Sequence, residues 1–289
     1  MAVPTPRVLR GATVGIVGTG QVGGSLVRRL SRYRTALTVC AFDRDQALAA
    51  QVGRFARFCD SLADLVCESD VVVLAVPVHT AIRLLPRIAA LAGRRRSARK
   101  LIVFDTGTVK ERIVAAAARH EAAFDFVGLH PLAGTEGPGW EAANPAMFDG
   151  RAVVMCPARP RAVRVARELV ALVGGIPVRM DACEHDRLVA EGIGLPHILA
   201  FAAAGMGGRA LDGAVLKAGS WRSLTRVAAS SADMVAGFLH GNRAHQLRVL
   251  AAFSRQLDVV ARALRHPSVQ PLERRLEAWQ RVVRTRKKA

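Results

Sequence analysis

Gly18, Gly20 and Gly23 form a GxGxxG sequence directly after the apolar run Thr13 to Val17 and at the start of a helical pattern carried by Leu26 and Leu30. In that setting the first glycine makes the turn, the second admits a pyrophosphate, and the third lets the helix approach the strand. Backbone N–H groups at the helix start, among them those of Gln21 and Val22, and the positive helix end neutralise the phosphates. Asp43 stands twenty residues beyond Gly23, at the end of the apolar run Leu37 to Phe42. There a carboxylate accepts hydrogen bonds from adenosine ribose hydroxyls and repels a 2′-phosphate, which favours NAD over NADP. Arg44, its neighbour, can stack on adenine or pair with a 2′-phosphate, so NADP is left open. His130 is the second chemical landmark. It ends the strand-like run Phe126 to Leu129, on the side where α/β sheets bind ligands. A lone histidine is more often structural. At a strand's C-terminal end, a neutral imidazole can take a hydroxyl proton while hydride leaves the same carbon.

The elements that must hold these groups follow from periodicity. Apolar runs at 13–17, 37–42, 71–76, 101–104 and 126–129 alternate with helical patterns near 45–51, 80–91 and 110–120. Such alternation predicts a parallel, doubly wound sheet of Rossmann type. Two further runs, 152–155 and 176–180, flank an amphipathic helix at 162–173 and are assigned to the far edge. After Asp181 strand-like runs disappear, and alanine- and leucine-rich helical segments continue to the end. The expected organisation is a dinucleotide-binding Rossmann domain over 1–181 and an all-helical domain over 182–289.

With 51% hydrophobic residues the chain has ample core material and disorder is excluded as its general state. Its 42 basic and 23 acidic residues give a net charge of +19. Nucleic acid, a membrane surface or an anionic substrate are the partners such a charge suggests. The charge is mostly arginine spread through an alanine-rich chain, which a coding bias explains equally well. Aromatic residues are 5% of the chain, and nothing resembles a stacking platform for single strands, so no nucleic-acid partner is expected. Five cysteines without a CxxC pair fit a reducing cytoplasm, and no metal site is expected. No secretory leader precedes the first strand. The apolar stretch Leu188 to Met206 is broken by Glu191, Pro196 and His197 and reads as a buried helix, not a membrane span.

Several short motifs in order resemble the prephenate and arogenate dehydrogenase (TyrA) family over most of the chain. They are the glycine turn, Asp70 to Pro77 (DVVVLAVP), Asp105 to Lys110 (DTGTVK), His130 to Glu136, and Phe148 to Arg151. His185-Asp186, Leu195-Pro196-His197 and Thr225-Arg226-Val227-Ala228 continue the series. The resemblance implies a Rossmann domain followed by a helical dimerisation domain, hence a homodimer. It also implies NAD-dependent oxidative decarboxylation of a cyclohexadienol, prephenate to 4-hydroxyphenylpyruvate in tyrosine biosynthesis, with arogenate and 4-amino-4-deoxyprephenate as alternatives. Carried over by motif, His130 is the base, and Thr108 holds the ring hydroxyl where the family usually has serine. Arg226 binds a substrate carboxylate, His197 contacts the substrate side chain, Glu136 lines the pocket mouth, and Val76 and Pro77 border the cofactor. Gly194 and Ser223 stand where family members often carry histidine and aspartate, and the segment Ser230 to Asn242 is atypical. These departures touch the substrate pocket, not the cofactor turn. Two readings compete: a β-hydroxyacid dehydrogenase, which needs a helical-domain lysine such as Lys217, and a nucleic-acid-binding or dinucleotide-sensing regulator.

Overall fold

Near-continuous Val, Ile and Leu runs, buried on both faces, force the strands into the centre of the molecule with helices on either side. The computed structural model describes residues 5–286 except 96, 98, 135, 136, 138, 157, 158 and 208–218. The chain builds β1 (Thr13–Val17), α1 (Gln21–Leu30), β2 (Thr38–Phe42), α2 (Ala49–Val52), β3 (Arg57–Phe58), α3 (Leu62–Glu68), β4 (Val71–Leu74) and α4 (Val78–Ala92). It continues with β5 (Leu101–Asp105), α5 (Glu111–Ala118), β6 (Phe124–Pro131), β7 (Ala152–Cys156), α6 (Pro160–Leu172) and β8 (Ile176–Arg179). The eight strands lie in the order β3-β2-β1-β4-β5-β6-β7-β8. The order reverses between β1 and β4, so a crevice opens at their C-terminal ends. β3 and α3 are elements that the sequence periodicity did not announce; β3 is two residues long and too short to carry a period.

One strand departs from the expected parallel arrangement. β7 runs antiparallel to β6, pairing Gly128 with Cys156 and His130 with Val154. The described residues of the connection over 132–151 contain no helix that could carry the chain back across the sheet, and the next strand returns in the opposite direction. That connection is tied to α1. Arg28 donates to the Ala143 carbonyl at 2.8 Å and lies 4.5 Å over the Trp140 ring, Asn144 N–H donates to Ser25 Oγ, and Gln21 Nε2 donates to the Gly137 carbonyl. Gly24 makes the approach feasible, because a Cβ there would sit 2.8 Å from Ala143 Cβ.

Beyond β8 the described chain is helical: α7 (Ala182–Val189), a π-helical turn (Ala190–Gly194), α8 (Leu195–Gly207), α9 (Gly219–Thr225), a 3₁₀ turn (Arg226–Ala229) and α10 (Ala232–Gly241). α11 (Arg243–Leu264) and α12 (Gln270–Arg286) complete it. By packing, the chain divides into two compact units, Met1–Asn242 and Arg243–Ala289. Within the second unit α11 and α12 pack on each other. The change from strands to helices at 181 and the division by packing are thus different boundaries, because α10 packs on α4 of the first unit. The apolar stretch expected to be a buried helix is mostly uncovered in the single chain. Ala182–Met206 is the one described helical stretch long and apolar enough to cross a membrane, and only 22% of its most apolar window is buried. Met206 is 85% exposed. An apolar face of this kind is left bare because no element of this chain's described residues packs over it.

Candidate active site

At the crevice between β1 and β4, the glycine turn has the geometry its spacing predicts. Gly18 has φ +90°, and a Cβ on it would lie 2.5 Å from the Ala75 carbonyl and 2.6 Å from Val76 Cγ1, so the β4–α4 corner at Val76 and Pro77 closes directly on it. A Cβ on Gly23 would meet the Gly18 carbonyl at 1.9 Å. Gly20 differs: its Cβ would meet nothing within 4 Å. No protein atom demands a glycine there. An outside group approaching the backbone does, and Gly20 caps α1 with no side-chain hydrogen bond and no acidic residue in the first turn. Open N–H groups, a positive helix end and a bare backbone fit a pyrophosphate.

Asp43 sits at the end of β2, beside this turn. Its Oδ2 accepts from Thr19 N–H at 2.6 Å and from Thr19 Oγ at 3.0 Å, and Oδ1 accepts from Asp45 N–H. The carboxylate therefore shapes the turn, a role its spacing alone did not disclose. Lone pairs remain on it for ribose hydroxyls. Arg44 is exposed, and Gln21 and Val22 begin α1, with Val22 packed on the core.

Across the crevice, β6 delivers His130 to the interior, 6% exposed. Its Nδ1 lies 2.9 Å from His185 Nε2, and His185 Nδ1 lies 2.8 Å from Asp186 Oδ1. The proton positions follow from valence. A carboxylate only accepts, so His185 carries a proton on Nδ1, and as a neutral ring it presents a bare Nε2. His130 Nδ1 must then be the donor to it. The remaining nitrogen of His130, Nε2, is left as a free lone pair, which is the form a base requires. Asp186 is held in turn: Oδ1 accepts from Lys110 N–H at 2.7 Å, Oδ2 from Glu111 N–H at 2.9 Å, and its carbonyl from Asn242 Nδ2.

Burial holds the His130 imidazole well below its usual pKa, helped by the positive charge of Lys110 and by His185. Lys110 is fully buried at the end of the DTGTVK segment and paired with the equally buried Asp105. Burial pushes the Asp105 carboxyl up, against the pull of Lys110 and the Gly107 N–H. The Lys110 ammonium thus disfavours a second positive charge at His130, and the imidazole is kept neutral. None of His185, Asp186, Lys110 and Asp105 was given a role from sequence. The signals were present as a His-Asp pair near the start of a helix and a lysine five residues after the aspartate that ends a buried strand.

The other expected site residues fall as follows. Thr108 is half-buried, three residues beyond Asp105, whose strand partner Gly128 is two residues before His130. Its hydroxyl makes no hydrogen bond among the described residues. His197 is half-buried on α8; its Nδ1 donates to the Ile193 carbonyl at 2.8 Å and its ring stands edge-on to Phe238. In the neutral ring Nε2 is then an acceptor. Arg226 is exposed at the start of the 3₁₀ turn, which packs on α8. The structure joins His130 to His185 and Asp186, and it shows no direct contact of His130 with Arg226 or His197. Glu136 and Lys217 lie outside the described residues.

A glycine turn, a neutral relay base and an expected carboxylate-binding arginine describe a hydride-transfer site, and comparison with known proteins says which. Residues 26–178 match the prephenate dehydrogenase nucleotide-binding domain, and residues 181–278 match the prephenate dehydrogenase dimerization domain. The chain belongs to the prephenate dehydrogenase family. It is 30% identical over 268 residues to a cyclohexadienyl dehydrogenase of Zymomonas mobilis, covering 87% of this chain and 88% of that protein. A prephenate dehydrogenase of Lactococcus lactis is 26% identical over 279 residues, covering 92% and 75%. Among solved structures, prephenate dehydrogenase from A. aeolicus in complex with hydroxyphenyl propionate and NAD+ superposes with a TM-score of 0.83 at 24% identity, covering 98% of this chain and 99% of that one. Synechocystis arogenate dehydrogenase superposes at 0.71 and 22% identity, covering 94% and 99%. This member of the family is a Rossmann-type oxidoreductase with a helical C-terminal part.

Proposed function

We propose that this family member is an NAD-dependent prephenate dehydrogenase, which oxidatively decarboxylates prephenate to 4-hydroxyphenylpyruvate for tyrosine biosynthesis. The observation that carries the reading is the His130–His185–Asp186 relay, which leaves an unprotonated Nε2 in a buried site at the sheet's ligand-binding end. Bound NAD supplies the hydride acceptor. Gly18, Gly20, Gln21, Val22 and Gly23 hold its pyrophosphate, Asp43 its ribose, and Val76 and Pro77 border it, with Arg44 leaving NADP open. His130 Nε2 takes the ring hydroxyl proton as hydride leaves the same carbon, and Thr108 keeps that hydroxyl in line. His130 holds the proton, with its Nδ1–H still bonded to His185, and returns it to the ring oxygen once decarboxylation has left that oxygen as a phenolate. The electron pair of the breaking C–carboxylate bond enters the ring, which becomes aromatic as carbon dioxide departs. Arg226 clamps a substrate carboxylate, for which a planar guanidinium is suited. Aromatisation drives the reaction, so the protein's work is positioning and proton acceptance. Residues 1–181 form the cofactor part, and 182–289 the substrate-binding and dimerising part of a cytoplasmic homodimer.

A second reading concerns the substrate. The open Nε2 of His197 is a hydrogen-bond acceptor, a partner suited to an ammonium group. This favours arogenate, whose side chain carries the ammonium, over prephenate and 4-amino-4-deoxyprephenate, which both present a keto acid at that end of the pocket; the departures at Gly194 and Ser223 leave all three open. Following NADH and NADPH formation in parallel with prephenate, arogenate and the amino analogue tests both readings. NADH formed fastest with prephenate supports the first. A preference for arogenate moves the assignment to the second, and a preference for the ring-amino analogue, or no turnover with any of the three, overturns both.

A further inference from the structure

Thr19 stands between the first two glycines of the turn, and none of it is exposed. A buried hydroxyl needs a partner, and Thr19 finds one at the end of the neighbouring strand β2. Its Oγ donates to Asp43 Oδ2 at 3.0 Å, and its N–H donates to the same oxygen at 2.6 Å. Two donors from one residue, meeting one oxygen, fix both the position and the rotation of the carboxylate. Asp45 N–H holds the other oxygen at 3.0 Å.

The backbone around Asp43 is tied down as well. Gly18 N–H donates to the Phe42 carbonyl at 2.9 Å, Gln46 Nε2 donates to the Asp43 carbonyl at 2.9 Å, and Asp45 Oδ1 accepts from Ala47 N–H. An adjustment to a different ligand therefore falls on the Asp43 side chain. All three donors to its carboxylate are neutral, so the negative charge is oriented and not cancelled. A carboxylate has about four acceptor sites, and the capacity these donors leave is on Oδ1. That suits a ribose hydroxyl. A 2′-phosphate brings charge of the same sign and is admitted only where the carboxylate swings away. Arg44, exposed and next in sequence, supplies a cation for such a phosphate once the carboxylate has moved.

We propose that Thr19 is a specificity-determining positioning residue: by locking Asp43 it makes the cofactor site refuse NADP, whose 2′-phosphate Arg44 alone would accept. The inference rests on the reading of Asp43 as the ribose partner of NAD. The glycine spacing does not require a hydroxyl at position 19, so the lock is separable from the turn itself. A Thr19 that merely shaped the turn would serve both cofactors alike, whereas a lock on Asp43 acts on them in opposite directions.

The test is calorimetric titration of the full-length protein with NAD and with NADP. Thr19→Val keeps the shape of threonine without its hydroxyl, Thr19→Ala removes the hydroxyl in a smaller side chain, and Thr19→Ser keeps it. The native chain is expected to bind NAD at least about tenfold tighter than NADP. Both hydroxyl-free variants are expected to bind NADP about tenfold tighter than the native chain does, and NAD about threefold weaker. Thr19→Ser is expected to keep the native ratio, and adding Arg44→Ala to Thr19→Val is expected to remove the NADP gain. NADP affinity that fails to rise in the hydroxyl-free variants overturns the proposal, whether NAD is spared or weakened alongside. So does a serine variant as permissive as the valine one, or an NADP gain that survives Arg44→Ala. A native chain that binds NADP as tightly as NAD overturns instead the reading of Asp43, and the proposal with it, so the two failures are told apart before any variant is made.

Discussion

Replacing His185 by phenylalanine removes the acceptor that fixes the His130 tautomer while leaving a ring of similar size in the same 2%-exposed position. In the native relay, the His130 Nδ1–H bond to His185 is made over 2.9 Å in a buried setting. Leaving such a donor unsatisfied costs about 1–3 kcal/mol. In the variant the neutral ring regains that amount by turning its N–H elsewhere or by shifting the proton to Nε2, and either change removes the base. At about 1.4 kcal/mol per factor of ten, kcat is expected to fall roughly 5- to 150-fold. His185→Gln can still offer an amide oxygen to Nδ1–H, so it is expected to recover most of that loss. Stopped-flow NADH formation gives kcat for both, NAD titration shows whether the cofactor turn is intact, and circular dichroism reports the fold. Equal kcat in native and Phe variants, or a Gln variant as slow as the Phe variant, would refute the tautomer argument. A purely structural role for His185 predicts that Gln and Phe scale with lost stability instead.

His130→Asn is expected to lower kcat by roughly 10²- to 10⁴-fold with NAD affinity preserved, measured by steady-state kinetics and fluorescence titration; unchanged turnover sinks the assignment of the base. The acid limb of kcat/KM is expected below about pH 6.5, because burial and Lys110 depress the His130 pKa and the base stays unprotonated down to that lower value. The same shift sets a stability trend. The unfolded chain binds the proton more tightly, so the contribution is whole above about pH 6.5 and is lost as pH falls toward the folded value, which urea melts at two pH values detect. Gly20→Ala is expected to change Tm by less than about 2 °C yet weaken NAD by about tenfold, since its Cβ meets only the space the pyrophosphate enters. Gly23→Ala drives a Cβ into the Gly18 carbonyl and is expected to cost about 3 kcal/mol in a denaturant melt. Equal stability for the two glycine variants contradicts this division.

The glycine turn and the strand alternation were legible because each depends on local spacing. Gly18 to Gly23 carry their own geometric reason, and buried strands such as Val71–Leu74 declare themselves by continuous apolarity. His130 was legible through its place at a strand end. Its orienting partners were not, because His185 is 55 residues away and meets it only after α7 folds onto the sheet. The antiparallel β7 escaped for a similar reason: strand direction is set by the absence of a crossover helix in the preceding connection, which no pattern inside Ala152–Cys156 encodes. The apolar stretch Leu188–Met206 has the composition of a buried helix, but composition does not say whether the covering surface belongs to the same chain. Residues 181–278 match a dimerization domain, and a second copy is the cover that match suggests.

The fastening of the β6–β7 connection to α1 bears on the order of events in turnover. Arg28, Ser25 and Gln21 grip that connection from α1, the helix whose N-terminus we propose holds the phosphates. A ligand that quiets the start of α1 also removes conformational entropy from the segment that follows His130, so a later arrival finds part of the ordering already done. Cofactor-first addition is the kinetic sequence this tether favours. Cutting it at Arg28, without touching any group that contacts either ligand, is then expected to turn a compulsory order into a random one.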